Sequence, residues 1–291
     1  MRWIGVTVVC MLLLCVLGNG QSPAAPTPQS PQSPQSIQLM EAARTEVSIP
    51  FAQSDTAAAY LIEPKGIEKR PAVLYLHWLG APNGDKREFL TEATEVAKHG
   101  VIVLLIDLAW SRPGWFKERK LKDDPAMSRL EVQRIEAALR FLAKRANVDR
   151  TRIAIVGHDF GGMYALLALK EHPQATDDPP IKGLISVAST PRMSDWFLYG
   201  QKLSAAEELE YLKTMAELDP IRSARSSTVP ALFQFAKCDE FISQVSAAEL
   251  KRAYKGESEV RWYAGGHELH SAEAIRDRVQ WLTKILQVQR Q

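Results

Sequence analysis

The sequence predicts an α/β protein built on a mostly parallel sheet with helices on both faces. Three observations predict it. Pro71–His77 (PAVLYLH), Val101–Asp107 (VIVLLID), Arg152–Val156 (RIAIV), Ile181–Val187 and Pro230–Ala236 (PALFQFA) are short, almost unbroken apolar runs. Strands buried on both faces read this way, whereas half-exposed strands alternate. These runs also alternate along the chain with segments whose apolar residues recur at helical spacing. Finally, the stretch that can fold, about Ile37 to Gln291, has the size of one large α/β domain.

The elements follow in order. Two strand-like stretches come first, near Thr45–Ser48 and Ala57–Ile62. The run Pro71–His77 is followed by a polar loop and a helical stretch around Glu88–His99. After Val101–Asp107, a helix over Ser128–Ala146 carries Leu130, Ile135, Ala138, Leu139 and Leu142 on one face. Arg152–Val156 ends in Gly157, and Gly161–Glu171 is an apolar helix. Between Ile181–Val187 and Pro230–Ala236 lies a long segment, residues 191–227, with helical character and four aromatics, Trp196, Phe197, Tyr199 and Tyr211. It reads as a short helical cap. Ser246–Tyr254 is a helix, Glu259–Tyr263 the eighth strand, and Ala272–Gln289 a closing amphipathic helix.

The N-terminus stands apart. Arg2 supplies a positive start, Trp3 to Leu17 is almost wholly apolar, and Gly18-Asn19-Gly20 offers small residues. This is the pattern of a signal peptide over residues 1–20, cleaved near Gly20, and implies export to the periplasm or outside the cell. Uncleaved, it would be an anchor, although the run is shorter than the ~20 residues a span needs. Residues 21–37 repeat Pro-Gln-Ser and read as a disordered linker. The domain then occupies residues 38–291. Cleavage leaves Cys238 as the one cysteine, so stability rests on a core and not on disulfides.

Composition narrows the function. Hydrophobic residues make up 46% and charged residues 24% of the chain, which excludes collagen-like, wholly disordered and polytopic membrane classes. The 36 basic and 34 acidic residues give +2, and no basic tract suits nucleic acid. Lys117–Asp124 is a mixed-sign run that reads as a solvated loop. A small-molecule substrate is expected, with contact to a membrane only through an uncleaved leader.

In sheets of this kind ligands bind beyond the strand C-termini, where the sequence places His77, Asp107, Asp159, Asp239 and His267. The sharpest signal is Gly157-His158-Asp159-Phe160-Gly161-Gly162, which follows a strand and opens a helix. That is the setting of a nucleophile elbow, whose apex is usually Ser and is here Asp159. Asp239 follows the strand Pro230–Ala236, and His267 follows Glu259–Tyr263 in Gly265-Gly266-His267. The chain order is nucleophile, acid, base. Upstream, His77-Trp78-Leu79-Gly80 ends a central strand. Asp159 could instead be a helix N-cap, Glu240 competes with Asp239, and His270 competes with His267. Cys238 reads as a small packing residue. His77, His158 and His267 lie on separate loops without metal-ligand spacing, so no metal or other cofactor is expected.

With these motifs in place, residues from about Thr45 to Leu286 resemble the α/β-hydrolase superfamily. The layout of Ala236–Asp239 and Gly265–His267 looks like dienelactone hydrolases and acyl esterases. The Asp-bearing elbow looks like epoxide hydrolases and haloalkane dehalogenases. The resemblance implies Asp159 as nucleophile, His267 as base, Asp239 as its orienter, and oxyanion N–H donors at Phe160 and at Trp78 or Leu79. It also implies a substrate pocket under the cap aromatics Trp196, Tyr199 and Tyr211, either tyrosine being a candidate acid for epoxide opening. Two departures stand out: Trp78 replaces the usual Gly and is placed to crowd the oxyanion site, and Phe160 lacks the ring N–H that dehalogenases use for halide. A carboxylate nucleophile would displace a leaving group from sp³ carbon and form an alkyl ester, which water activated by His267 would hydrolyse. Two alternatives stay open: an esterase or dienelactone-hydrolase type in which Asp159 assists water, and a degenerate, non-enzymatic binding protein.

Overall fold

The apolar runs pair into one sheet: β1 (Ala42–Ala52), β2 (Asp55–Pro64), β3 (Arg70–Leu76), β4 (Ile102–Ile106), β5 (Val148–His158), β6 (Ile181–Val187), β7 (Ala231–Ala236) and β8 (Ser258–Tyr263). The computed structural model describes residues 39–52, 55–80, 84–170 and 178–288. The leader and linker expected over residues 1–37 lie outside them. The sheet order is β1-β2-β4-β3-β5-β6-β7-β8. β1 pairs with β2, and β2 with β4, in antiparallel fashion. Every pair from β4 onward is parallel.

The burial of each strand matches its sequence. The unbroken runs of β4 and β7 are buried at every position. The outermost strand β8 keeps only Tyr263 buried. The chain lays down β3, moves outward to β4, then crosses back over β3 to β5. That reversal opens a crevice beyond the C-termini of β3 and β5, the position where open α/β sheets bind ligands. His77 and Trp78 leave one side of it and Asp159 the other.

Helices cover both faces. On one, α1 (Leu90–Lys98) meets α9 (Ala272–Ile285). On the other, α3 (Asp124–Ala143) packs beside α4 (Phe160–Lys170). A single buried ion pair ties α9 to α1. Arg278, 1% exposed, donates from Nη2 to Glu92 Oε2 at 2.7 Å, and from Nη1 to Gln234 Oε1 and the Leu269 carbonyl. Glu92 also accepts from the Tyr75 hydroxyl. Burial alone would disfavour the guanidinium; the Glu92 charge more than offsets this and raises its pKa.

Between α1 and α3 sits the short helix α2 (Trp115–Glu118), and residues 191–227 hold three more: α5 (Ser194–Phe197), α6 (Ala205–Met215) and α7 (Pro220–Ser226). A capping box starts α6, with Ser204 and Glu207 satisfying each other's backbone N–H. The last connection before β8 is α8 (Gln244–Ala253). One expectation is corrected here. The run Lys117–Asp124 is not simply a solvated loop, because Arg119 and Asp124 form an ion pair with both side chains at least 95% buried. The Tyr211 hydroxyl donates to the same carboxylate at 2.7 Å, and Arg119 donates to the Phe197 carbonyl. Sequence-level charge counting cannot see this, because the three partners come from α3, α6 and the loop before α3. Among the described residues no helix is long and apolar enough to cross a membrane.

Candidate active site

β5 ends at His158 and α4 starts at Phe160, so Asp159 alone makes the turn. It does so at φ +53°, a left-handed backbone that few non-glycine residues adopt. The turn is enforced from both sides. The Asp159 N–H donates to the Val187 carbonyl at 2.8 Å, and its carbonyl accepts from Met163 N–H at 3.0 Å. Gly157 and Gly161 make the approach possible. A Cβ on Gly157 would strike the Gly161 backbone, and one on Gly161 would strike the Leu76 carbonyl of β3.

Asp159 is 2% exposed. Its Oδ2 accepts the Leu79 N–H at 3.2 Å, and the Phe160 N–H also bonds to the carboxylate. Its Oδ1 has no partner and is buried. That atom lies 3.9 Å from Nε2 of His267, which is equally unpartnered. His267 Nδ1 donates to Asp239 Oδ2 at 2.9 Å. Asp239 Oδ1 in turn accepts from the N–H groups of Phe241 and Ile242, both at 2.9 Å, which fixes the carboxylate in an Asx-type turn. Asp159, His267 and Asp239 therefore form a line from three strand ends.

The electrostatics follow from burial and charge. Burial pushes the Asp159 carboxyl up to about 6, with His267, His158 and the two N–H donors limiting the rise. Burial also works against the Asp239 carboxylate, but the His267 hydrogen bond and charge outweigh it, and its pKa falls below the usual range. For His267 burial favours the neutral ring, yet the Asp239 hydrogen bond and the nearby Asp159 charge raise it above 6.5.

The loop after β3 requires a correction. Trp78 cannot serve as an oxyanion donor through its backbone, because its N–H donates to Glu88 Oε2 at 2.6 Å. The Leu79 N–H is the one on this loop that reaches the Asp159 carboxylate. The Trp78 ring lies over Gly80, stacks on His158 at 5.0 Å and 11°, and is 6.3 Å from the His267 ring. His77 shapes the loop from beneath. Its Nδ1 donates to the Trp78 carbonyl and its Nε2 accepts from Leu108 N–H. Burial holds its pKa below the ordinary value.

The remaining candidates divide. Trp196 lies beside His267, the two rings 5.6 Å apart, and the Phe241 ring lies 5.2 Å from the imidazole. The indole N–H groups of Trp78 and Trp196 are buried without partners. Tyr199 is 63% exposed, and the Tyr211 hydroxyl is committed to Asp124, so neither is brought to the site. Glu240 is exposed, and His270 approaches Glu88 at 3.4 Å, not Asp159. Cys238 is free and exposed, contrary to the packing role expected of it.

Sequence reasoning missed Glu88. Its side chain is fully buried, and its Oε1 meets His158 Nδ1 at 2.6 Å. Its one sequence signal is a carboxylate two residues before an apolar helix, which is commonplace. Glu88, His158 and His270 bring possible ligand atoms within 4.8 Å of one another, but hydrogen bonds already occupy the atoms of Glu88 and His158.

The model of the alpha/beta hydrolase family matches residues 73–283. A curated relative, a probable 2-oxo-3-(5-oxofuran-2-ylidene)propanoate lactonase of Bradyrhizobium sp, is 30% identical over 152 residues, covering 46% of this chain. The match spans 60% of that relative's length. Among solved structures, an acetyl xylan esterase from Paenibacillus sp. R4 is similar with TM-score 0.68 and 19% identity, over 87% of this chain and 86% of that one. A 2,6-dihydroxy-pseudo-oxynicotine hydrolase is similar with TM-score 0.62 and 18% identity, over 85% and 68%. Likeness at such identities speaks for the fold alone.

Proposed function

This chain belongs to the alpha/beta hydrolase family, and from that premise we propose that it hydrolyses a small organic substrate through an ester formed on Asp159. One observation carries the reading. Asp159 Oδ2 already accepts the Leu79 N–H, while Oδ1 is left without a partner. The donor that would cradle an external substrate's carbonyl is thus taken by the carboxylate's own oxygen.

The steps follow from that placement. Oδ1 attacks an sp³ carbon; a C–O bond forms, and the leaving group departs with its electron pair. Water then gives a proton to His267 Nε2 and attacks Cγ of Asp159. The negative charge develops on Oδ2, where the Leu79 N–H is already in place. Collapse breaks the Cγ–Oδ1 bond, and the product alcohol takes the proton from His267. Asp239 holds the ring so that Nε2 faces the ester. The Asp239 hydrogen bond and nearby charges keep His267 protonated to a higher pH than an ordinary histidine, so this second step speeds up as rising pH frees the ring. Because Asp159 is almost fully covered, substrate reaches Oδ1 only after neighbouring side chains move, with Trp196 and Phe241 the rings beside the base.

A second reading rests on the lactonase relative. In it Asp159, ionised above about pH 6, acts as a base that directs water at a lactone carbonyl. Isotope placement separates the two. Under the ester reading, one turnover in heavy-oxygen water puts the label into Asp159 and leaves the first product alcohol unlabelled. Label in the first product and none in Asp159 would support the lactone reading and refute the ester.

Export is part of the same proposal, supported by the apolar leader and its small-residue end. N-terminal sequencing of the protein recovered outside the cytoplasm should begin near Gln21; recovery of full-length protein in the cytoplasm alone would contradict it.

A further inference from the structure

We propose that Glu88, His158 and His270 form a site for a divalent transition-metal ion, with zinc the ion their donor atoms suit best. The site stands on its own geometry and does not depend on the hydrolytic reading of Asp159.

The three residues each bring one ligand atom to a common point. Glu88 Oε1 lies 2.6 Å from His158 Nδ1 and 3.4 Å from His270 Nε2, and all three atoms lie within 4.8 Å of one another. Zinc bonds imidazole nitrogen and carboxylate oxygen at about 2.0–2.2 Å, which puts neighbouring corners of its tetrahedron roughly 3.3 Å apart. The Glu88–His270 spacing already has that value. The Glu88–His158 contact has to open by about 0.7 Å to reach it. His270, whose side chain is 42% exposed, has room to swing inward. Two imidazoles and one carboxylate are a donor set that zinc takes with its fourth position left to water.

The far side of each buried ligand is already held as a bound ion requires. A ligating histidine gives its second ring N–H to a carbonyl or carboxylate, and a ligating carboxylate is itself hydrogen-bonded. His158 Nε2 meets the His267 carbonyl at 3.1 Å. A carbonyl only accepts, so Nε2 carries a proton and Nδ1 is the nitrogen turned toward Glu88. Glu88 Oε2 accepts the Trp78 N–H at 2.6 Å, which leaves Oε1 for the ion. Both side chains are buried, while His270 at the surface gives the ion its way in. The hydrogen bond between Glu88 and His158 is no bar. Oε1 and Nδ1 share one proton, whichever atom carries it, and the ion displaces that proton. Once bound, it ties the loop after β3, the end of β5 and the loop carrying His267 to one point. The ligands show no metal-binding spacing in the sequence because His158 and His270 lie 70 and 182 positions from Glu88.

Calorimetric titration of the chelator-treated whole protein with zinc sulfate at pH 7.5 tests the site. One zinc should bind per chain with a micromolar or tighter Kd, releasing about one proton, read from the dependence of the heat on the buffer. X-ray absorption of the zinc-loaded protein should show two imidazoles around the ion. His270→Ala removes a surface ligand whose one weak hydrogen bond the fold can spare, and should weaken binding by about a hundredfold or more. His267→Gln keeps the backbone carbonyl that His158 needs, and should bind zinc as the wild type does. No saturable binding in the wild type would overturn the proposal. So would a His270→Ala variant that binds unchanged, or a loss of binding in His267→Gln, which would place the ion on Asp159, His267 and Asp239 instead.

Discussion

Asp159→Asn is expected to stabilise the protein while abolishing turnover. The carboxyl moves from 3.8 to about 6 because burial penalises its charged form. At ~1.4 kcal/mol per pH unit, keeping it ionised in the folded state at pH 7 costs about 3 kcal/mol. The sign follows from proton linkage. The folded state holds this proton between 3.8 and about 6 where the unfolded chain has released it, so stability falls as pH rises through that window and is level above it. Asparagine carries no charge to bury, can still accept from Leu79 N–H, and tolerates φ +53° better than most residues. For a domain of this size, that gain raises Tm by roughly 6–12 °C at pH 7. Thermal unfolding of wild type and variant, run from pH 4 to pH 8, reads the effect. The advantage should shrink as pH falls below about 6 and be nearly gone at pH 4. A variant no more stable than wild type at pH 7, or a gain independent of pH, would refute the reasoning.

Other substitutions probe the supports of the site. Arg278→Met leaves Glu92 charged and unpaired between α1 and α9, and should cost about 3–5 kcal/mol in denaturant unfolding; a loss under 1 kcal/mol would mean the pair is dispensable. Gly161→Ala forces a methyl into the Leu76 carbonyl, so it should yield little folded protein by circular dichroism, and a well-folded active variant would contradict the packing described for the elbow. Tyr211→Phe removes one hydrogen bond to the ion-paired Asp124 carboxylate, costing about 1.5–3 kcal/mol, and should leave the rate of turnover within twofold; a hundredfold loss would return Tyr211 to the chemistry.

Much of this was legible in the sequence because it is local. Unbroken runs such as VIVLLID must be buried on both faces, and glycines flanking Asp159 after a strand admit few structures besides a tight turn. The order Asp159, Asp239, His267 followed from strand ends alone. What escaped was non-local. The N–H of Trp78 is taken by Glu88, ten residues away across a polar loop, and nothing in either residue announces the other. Arg278 lies on a helix that reads as amphipathic, where an arginine counts as solvent-facing unless its partner, 186 residues away, is known. Tyr199 and Tyr211 share an aromatic-rich segment, yet one faces solvent and the other serves Asp124, a distinction made by the packing of α6 on α3.

The central claim is that Asp159 becomes covalently bound to substrate. His267→Gln removes the base of the second step and leaves Asp159 Oδ1 and its N–H donors in place. Mass spectrometry of this variant after exposure to a panel of epoxides and alkyl halides measures the claim directly. The account predicts a stable adduct on the peptide containing Asp159, absent from Asp159→Asn. No adduct from any member of the panel, together with wild-type turnover of a lactone, would contradict it.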